Sequence, residues 1–164
     1  MAQQLPEHVT GFSRALLRIP VPWVFVLAYL AGIGLEAICF RSHFFNTTPF
    51  LSEIGAVVFL AGAVLAAWGW LLFRKAKTTR VPGRASTAMV TWGPYRFTRN
   101  PMYLGLTIAY LGEAGILRQL WPALLLPLVL AYLNRIVIPV EEEKLSEVFG
   151  PGYQEYRSRV GRWL

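Results

Sequence analysis

Four apolar runs constrain this chain more than any other feature: Val21 to Phe40, Phe50 to Phe73, Met102 to Leu117 and Trp121 to Ile138. A helix crosses a ~30 Å hydrocarbon core with roughly 20 residues rising ~1.5 Å each. The first, second and fourth runs reach that length. The third is shorter and carries Glu113, so it either tilts little, sits partly against its neighbours, or forms one arm of a helical hairpin with the fourth across Arg118 and Gln119. The expected fold is all-α: a polytopic integral membrane bundle of about four transmembrane helices, followed by short amphipathic C-terminal helices. With 55% hydrophobic residues and mean hydropathy +0.44 over 164 residues, the chain is too apolar for a soluble domain and too short for two membrane domains. The expectation is therefore one unit over 1–164, with a lead-in and two helices in 1–73 and a loop, hairpin and C-terminal helices in 74–164.

Arg14 and Arg18 precede the first run as in a signal sequence. The run is longer than an h-region, however, and no small-x-small cleavage site follows it. Bulky Ile38 before Cys39 also argues against lipoprotein processing, so a retained helix is expected. A lone cysteine excludes an intramolecular disulfide and a cysteine metal cluster.

Charge sets the expected orientation. Arg74, Lys75, Lys77, Arg80, Arg84, Arg96 and Arg99 lie between the second and third runs, and Arg135, Lys144, Arg157, Arg159 and Arg162 lie near or beyond the end of the fourth. Arg41 and Arg118 stand alone in the opposite loops. The positive-inside rule then makes the middle loop and both termini cytoplasmic, in what is expected to be a bacterial inner membrane. Topology and inner-leaflet contact account for the net charge of +7 without a nucleic-acid partner. Glu36, Glu53 and Glu113 fall at the opposite helix ends, where solvation accounts for them. Met1 to Pro20 resembles a membrane-surface lead-in, and Trp68, Trp70, Arg74 and Lys75 form an aromatic and basic interfacial margin.

The polar residues that carry chemistry are concentrated in Gly93-Pro94-Tyr95-Arg96-Phe97-Thr98-Arg99-Asn100-Pro101-Met102-Tyr103 and in the segment from Glu141 onward. Proline suits the first turn of a helix, and the residue before it is pushed out of helical angles. Asn100 is thus expected to cap the third helix, leaving an electropositive helix start beside Arg96 and Arg99 that suits an anion. In Glu141-Glu142-Glu143, helical spacing places Glu141 with Leu145, Val148 and Phe149 on one face and turns Glu143 and Glu147 elsewhere. A carboxylate on a buried face needs a partner such as Arg135 or a ligand. Phe149-Gly150-Pro151-Gly152 breaks the chain before a last short helix with Tyr153, Tyr156 and Val160 in phase and a Glu155 to Arg159 surface pair. Such a lining suits a zwitterionic ligand. Metal chemistry is not expected, because the chain has no aspartate and only His8 and His43. No G-x-G-x-x-G or P-loop occurs, and histidine is too scarce for a serine triad.

Three ordered blocks resemble the isoprenylcysteine carboxyl methyltransferase family and its bacterial relatives: Thr87-Ala88-Met89-Val90-Thr91-x-Gly93-Pro94-Tyr95, Arg99-Asn100-Pro101-x-Tyr103-x-Gly105, and Glu141-Glu142-x-x-Leu145-x-x-x-Phe149-Gly150-x-x-Tyr153-x-x-Tyr156. Phospholipid N-methyltransferases and methanethiol S-methyltransferases are similar over the same half. The resemblance spans about Thr78 to Leu164. It implies an S-adenosylmethionine-dependent membrane methyltransferase acting on a lipophilic small molecule or an isoprenylcysteine-like carboxylate or thiol, with membrane lipids as its surroundings. The implied cofactor residues are Thr87, Ala88, Met89, Val90, Tyr95, Asn100, Pro101, Met102, Tyr103 and Glu141, and Arg135 and Glu142 are the candidates for positioning substrate. Eukaryotic carboxyl methyltransferases have His in place of Asn100, and their substrate-linked Arg aligns with Val137, which leaves Arg135 as a shifted candidate. A sterol-type NADPH reductase, a phospholipid N-methyltransferase and a non-catalytic lipid-binding scaffold are the alternatives.

Overall fold

The computed structural model describes residues 19–38, 50–75 and 89–164. Most of the lead-in, Cys39, His43 and the expected cofactor residues Thr87 and Ala88 lie outside the described residues. Six α-helices follow in order among the described residues: α1 Val21–Ile38, α2 Phe50–Lys75, α3 Pro101–Leu117, α4 Leu120–Tyr132, α5 Ile138–Phe149 and α6 Pro151–Arg159. A 3-10 turn, Gly93–Arg96, precedes α3, and a π-helical turn, Leu133–Val137, joins α4 to α5. No strand occurs among the described residues. The protein is an all-α membrane helical bundle.

Among the described residues, three helices are long and apolar enough to cross a membrane: α1, α2 and the continuous stretch Leu120–Phe149. At 17 residues, α3 rises only about 25 Å, a short fit to the hydrocarbon core. It turns directly into α4, giving the hairpin that was one of the arrangements open to it from the sequence. Arg118 makes that turn in the left-handed region, at φ 54 and ψ 43, with the next amide, Gln119 N–H, donating to Ala114 O at 2.9 Å. The Arg118 side chain then fastens the turn to the start of α2. Its Nε donates to Ser52 Oγ at 2.9 Å, and Ser52 Oγ donates to Ile116 O at 3.1 Å.

The fourth apolar run does not stop at Pro139. Proline cannot donate to the carbonyl one turn back, and the π turn absorbs this by sending Ile138 N–H to Leu133 O, five residues back. Helical backbone therefore continues through the three glutamates to Phe149. Loose π turns of this kind are often found at functional sites.

Glycine decides how α2 meets α3. Gly55, Gly62 and Gly69 recur every seven residues on α2 and are buried, facing Gly105 and Gly112 on α3. A Cβ at Gly55 would lie 2.5 Å from Ile116 N, and one at Gly105 would lie 2.5 Å from Ala66 N. At Gly55, Gly62, Gly105 and Gly112 backbone meets backbone. In lipid, apolar side chains gain little by leaving one apolar medium for another, so close van der Waals approach through small residues is what holds helices together.

The other face of α3 packs with α1 and α4. Phe25 and Tyr29 of α1 set their rings edge-on to Tyr110, with centroids 6.0 and 5.1 Å away. Tyr110 OH donates to Pro122 O at 2.9 Å, and Leu126, Val129, Leu133 and Ile138 complete this core. Gly32 lets α1 close on α4, since a Cβ there would meet Pro122 Cα at 2.6 Å. Trp23, Leu30, Val57, Leu60 and Val64 face outward, as lipid-facing positions should.

Gly62→Ala and Gly112→Ala should each lower stability by ~1–3 kcal/mol, the usual cost of overpacking, because the added methyl group meets backbone that cannot swing away. Gly34→Ala, with nothing within 4 Å of the new atom, should be neutral or stabilising by ~0.5–1 kcal/mol. Thermal melting in one detergent compares the three, and equal melting temperatures would disprove a seam set by glycine.

Candidate active site

The site is assembled where the start of α3, the α5 helix and the last residues of the chain converge. Gly93 opens the turn ahead of α3 at φ 64. A Cβ there would come within 2.6 Å of Leu72 Cδ1, so the turn lies directly on α2. Tyr95 is buried and crosses Phe73 edge-on at 5.3 Å. Its carbonyl accepts the Tyr156 hydroxyl at 2.7 Å, which ties α6 to the same turn.

The next residues are stitched to the C-terminal tail. Arg99 N–H donates to Gly161 O at 2.9 Å. The Arg162 carbonyl accepts Thr98 Oγ1 at 2.9 Å and Asn100 Nδ2 at 3.1 Å. Trp163 Nε1 donates to Asn134 Oδ1 at 3.0 Å, so the tail also clasps the π turn.

Glu142 lies at the centre of this arrangement. Its carboxylate accepts Arg162 Nε at 2.9 Å and Nη2 at 2.7 Å, a two-pronged pairing, and Arg99 Nη1 reaches it at 2.7 Å. Only 6% of Glu142 is exposed. A buried carboxylate is tolerable only with such compensation. The hydrogen bond to Glu142 is the main reason that the Arg162 guanidinium holds its proton more firmly than usual, against the opposing effect of burial. Tyr153, whose hydroxyl accepts from Arg99 Nη1 at 3.4 Å, is pushed upward chiefly by burial, with Arg99 opposing. Burial likewise pushes Tyr156 up to about 12. Both phenols therefore stay neutral at ordinary pH and serve as hydrogen-bonding groups.

Beside this cluster, Tyr103 OH donates to Glu141 Oε1 at 2.6 Å, a short charge-assisted bond joining α3 to α5. The second oxygen of Glu141 has no hydrogen-bond partner among the described residues. Arg99 Nε is buried and has no hydrogen-bond partner among them either.

The structure brings together Asn100, Pro101, Tyr103, Glu141 and Glu142, with Arg99 and Arg162 between them. It leaves Arg135 exposed on the π turn. Val90 is buried, Met102 lies against Gly69, and Met89 lines an open hollow of about 430 Å³ beside α6. Two expectations need correction. Asn100 stands at the N-cap position but makes no side-chain cap bond; its Nδ2 donates instead to Arg162 O. The face assigned to Glu141 is also shifted, since Val148 is 50% exposed and Glu142 is the buried carboxylate. The reason lies in the solvent. Beside a membrane an apolar residue can face outward without cost, so apolarity does not mark the inward side. Gly161-Arg162-Trp163 is the signal that helical spacing missed, a cation and an indole following a glycine just where the last helix ends.

Residues 51–152 match the phospholipid methyltransferase family, and the chain belongs to it. It is a membrane methyltransferase by family. It is 29% identical over 164 residues to the cobalt-zinc-cadmium resistance protein CzcN of Cupriavidus metallidurans, covering 94% of this chain and 69% of that protein. It is 33% identical over 80 residues to the nickel-cobalt-cadmium resistance protein NccN of Alcaligenes xylosoxydans xylosoxydans, covering 49% of this chain and 37% of that one. Over 72 residues it is 38% identical to the protein-S-isoprenylcysteine O-methyltransferase of Schizosaccharomyces pombe, covering 44% of this chain and 30% of that enzyme. No solved structure matches the chain.

Glu142→Gln should destabilise the protein by ~3–5 kcal/mol, as breaking a buried ion pair does, and should speed amide exchange at 161–163. Glu155→Gln removes an exposed pair on α6 and should cost at most ~0.5 kcal/mol. Melting and hydrogen exchange on both variants check this, and similar losses would mean that Glu142 does not hold the tail.

Proposed function

We propose that the protein transfers a methyl group from S-adenosylmethionine, held at the start of α3, to a lipophilic acceptor that approaches from within the bilayer. The observation that carries this reading is the pairing of Tyr103 with Glu141 at 2.6 Å beside a helix start that no side chain caps. The residues present suit such a cofactor. The unfilled backbone donors of the first turn of α3 attract a carboxylate, and the second oxygen of Glu141 accepts from a hydroxyl or an ammonium group. Arg99, held by Glu142, adds positive potential close to that helix start. Thr87, Ala88, Met89, Val90 and Tyr95 remain cofactor residues in this proposal on the strength of the family resemblance.

S-adenosylmethionine, when bound, supplies a methyl group already activated by its sulfonium. The protein then has to orient the reactants and exclude water, and orientation alone can contribute ~7–11 kcal/mol. Glu142 was expected to position substrate. Because both its oxygens are engaged, it acts here by holding Arg99 and Arg162. Arg135, exposed on the π turn, makes no ion pair among the described residues and in this reading meets an anionic group of the acceptor.

A carboxylate or thiolate acceptor needs no proton removed at the moment of transfer, whereas an amine must lose one first. The name of the fission-yeast relative supports an oxygen acceptor, and the family description supports a phospholipid. Product detection with methyl-labelled cofactor and a panel of prenylcysteines, phospholipids, thiols and quinone-like compounds separates these. Absence of label in every product, together with saturable NADPH binding, would favour a reductase instead.

Glu141→Gln should weaken cofactor binding by ~1.5–3 kcal/mol, read as a rise in Kd by calorimetry, while Glu143→Gln changes it little. Equal effects would remove Glu141 from the site. For the orientation, cytoplasmic placement of α6 and the middle loop is expected from charge. A cysteine introduced at Ser158 should resist an impermeant thiol reagent in intact cells, and outside labelling would reverse the topology.

A further inference from the structure

Apart from Met89, the residues lining the hollow beside α6 are not among the proposed cofactor residues. The hollow holds about 430 Å³ between Thr91 and Arg96 on one side and Glu155, Tyr156 and Arg159 of α6 on the other, a volume within the ~300–1,000 Å³ usual for ligand sites. Two arginines meet there. Among the described residues, exposed Arg96 makes no ion pair and Arg159 pairs with Glu155 alone, at 3.1 Å, both about 70% exposed. An exposed i,i+4 pair is weak, so the Arg159 guanidinium is available to a stronger anion. Thr91 adds a hydroxyl donor.

The surroundings identify the kind of anion. Arg96 belongs to the turn that rests on α2 at Leu72 and Trp68, next to the margin where Arg74 lies 4.6 Å over the Trp70 ring. Aromatic and basic residues of this kind mark the membrane interface. The same turn exposes Trp92 and Phe97, 47% and 69% accessible, one on either side of Gly93–Arg96. Large aromatics exposed beside a cationic hollow suit a molecule with an apolar body and an anionic head.

We propose that this hollow binds the phosphate headgroup of an anionic phospholipid, separately from the methyl acceptor, with Trp92 and Phe97 resting in the headgroup layer. Arg96 and Arg159 contact the phosphate oxygens and Thr91 donates to them. Glu155 opposes the anion and is displaced from Arg159 when the lipid binds. The turn that leads into α3 is thereby tied to the surface of the leaflet.

The test is lipid binding to the purified full chain in detergent, without cofactor, using phosphatidylglycerol and phosphatidylcholine as probes and native mass spectrometry or a thermal shift as readout. Phosphatidylglycerol should bind selectively. Arg96→Gln and Arg159→Gln should each weaken it about fivefold, the effect of one basic residue near a membrane surface, while Glu155→Gln should strengthen it. Arg157→Gln, a neighbouring arginine outside the hollow, should leave it unchanged, and so should inorganic phosphate added at the lipid's concentration. Equal binding of phosphatidylcholine, an equal loss with Arg157→Gln, or displacement by phosphate would overturn the proposal. Because no cofactor is present, these outcomes are independent of whether the chain methylates anything. Intact melting of each variant before lipid addition excludes misfolding as the cause of a loss.

Discussion

The carboxylate of Glu142 is the constraint on which the site region depends. It sits on a membrane-associated helix, is almost wholly buried, and is matched by Arg99 from the segment before α3 and Arg162 from the tail. Burial of any one of these charges alone would be costly. Together they fix three segments far apart in sequence. The tail can then offer the Arg162 carbonyl to Thr98 and Asn100 at the foot of α3.

Much of the fold was legible in the sequence because hydrophobic length is a strong signal in a membrane chain. The apolar runs correspond to α1, α2, α3 and the stretch from α4 onward, and the hairpin at Arg118 falls where the polar pair Arg118-Gln119 interrupts them. The glycine seam was present in the spacing of Gly55, Gly62 and Gly69 but is silent in a hydropathy reading, since glycine is nearly neutral. In the site, the clustering of Asn100, Tyr103 and the glutamates was legible. The choice between Glu141 and Glu142 was not, because it depends on arginines that approach from outside the helix, and because an outward Val148 costs nothing beside lipid.

The two ends of the bundle use polar residues differently. At the Arg118 end, Ser52 and Arg118 lock a turn to a helix start, and Glu36 accepts the Trp121 amide at 3.3 Å. These bonds close helix ends and leave chemistry elsewhere. At the other end the polar groups are drawn from the turn before α3, the helices α5 and α6, and the tail. Glu141 and Arg99 there retain hydrogen-bonding capacity that the described residues do not use. A rigid end and an end with unspent donors and acceptors are what a membrane enzyme requires if its reactants arrive from two phases.

The pairing of helices also has a consequence for biogenesis. α2 and α3 are neighbours along the chain and meet through the glycine seam, so they can associate as soon as both have entered the membrane. α1 packs chiefly on α4, and Leu120, where α4 begins, is made long after Ile38. At ~5–20 residues per second, α1 waits for several seconds in lipid before its partner exists. Tyr29 carries a hydroxyl into that wait. α1 therefore lacks its main packing partner until α4 follows it into the membrane.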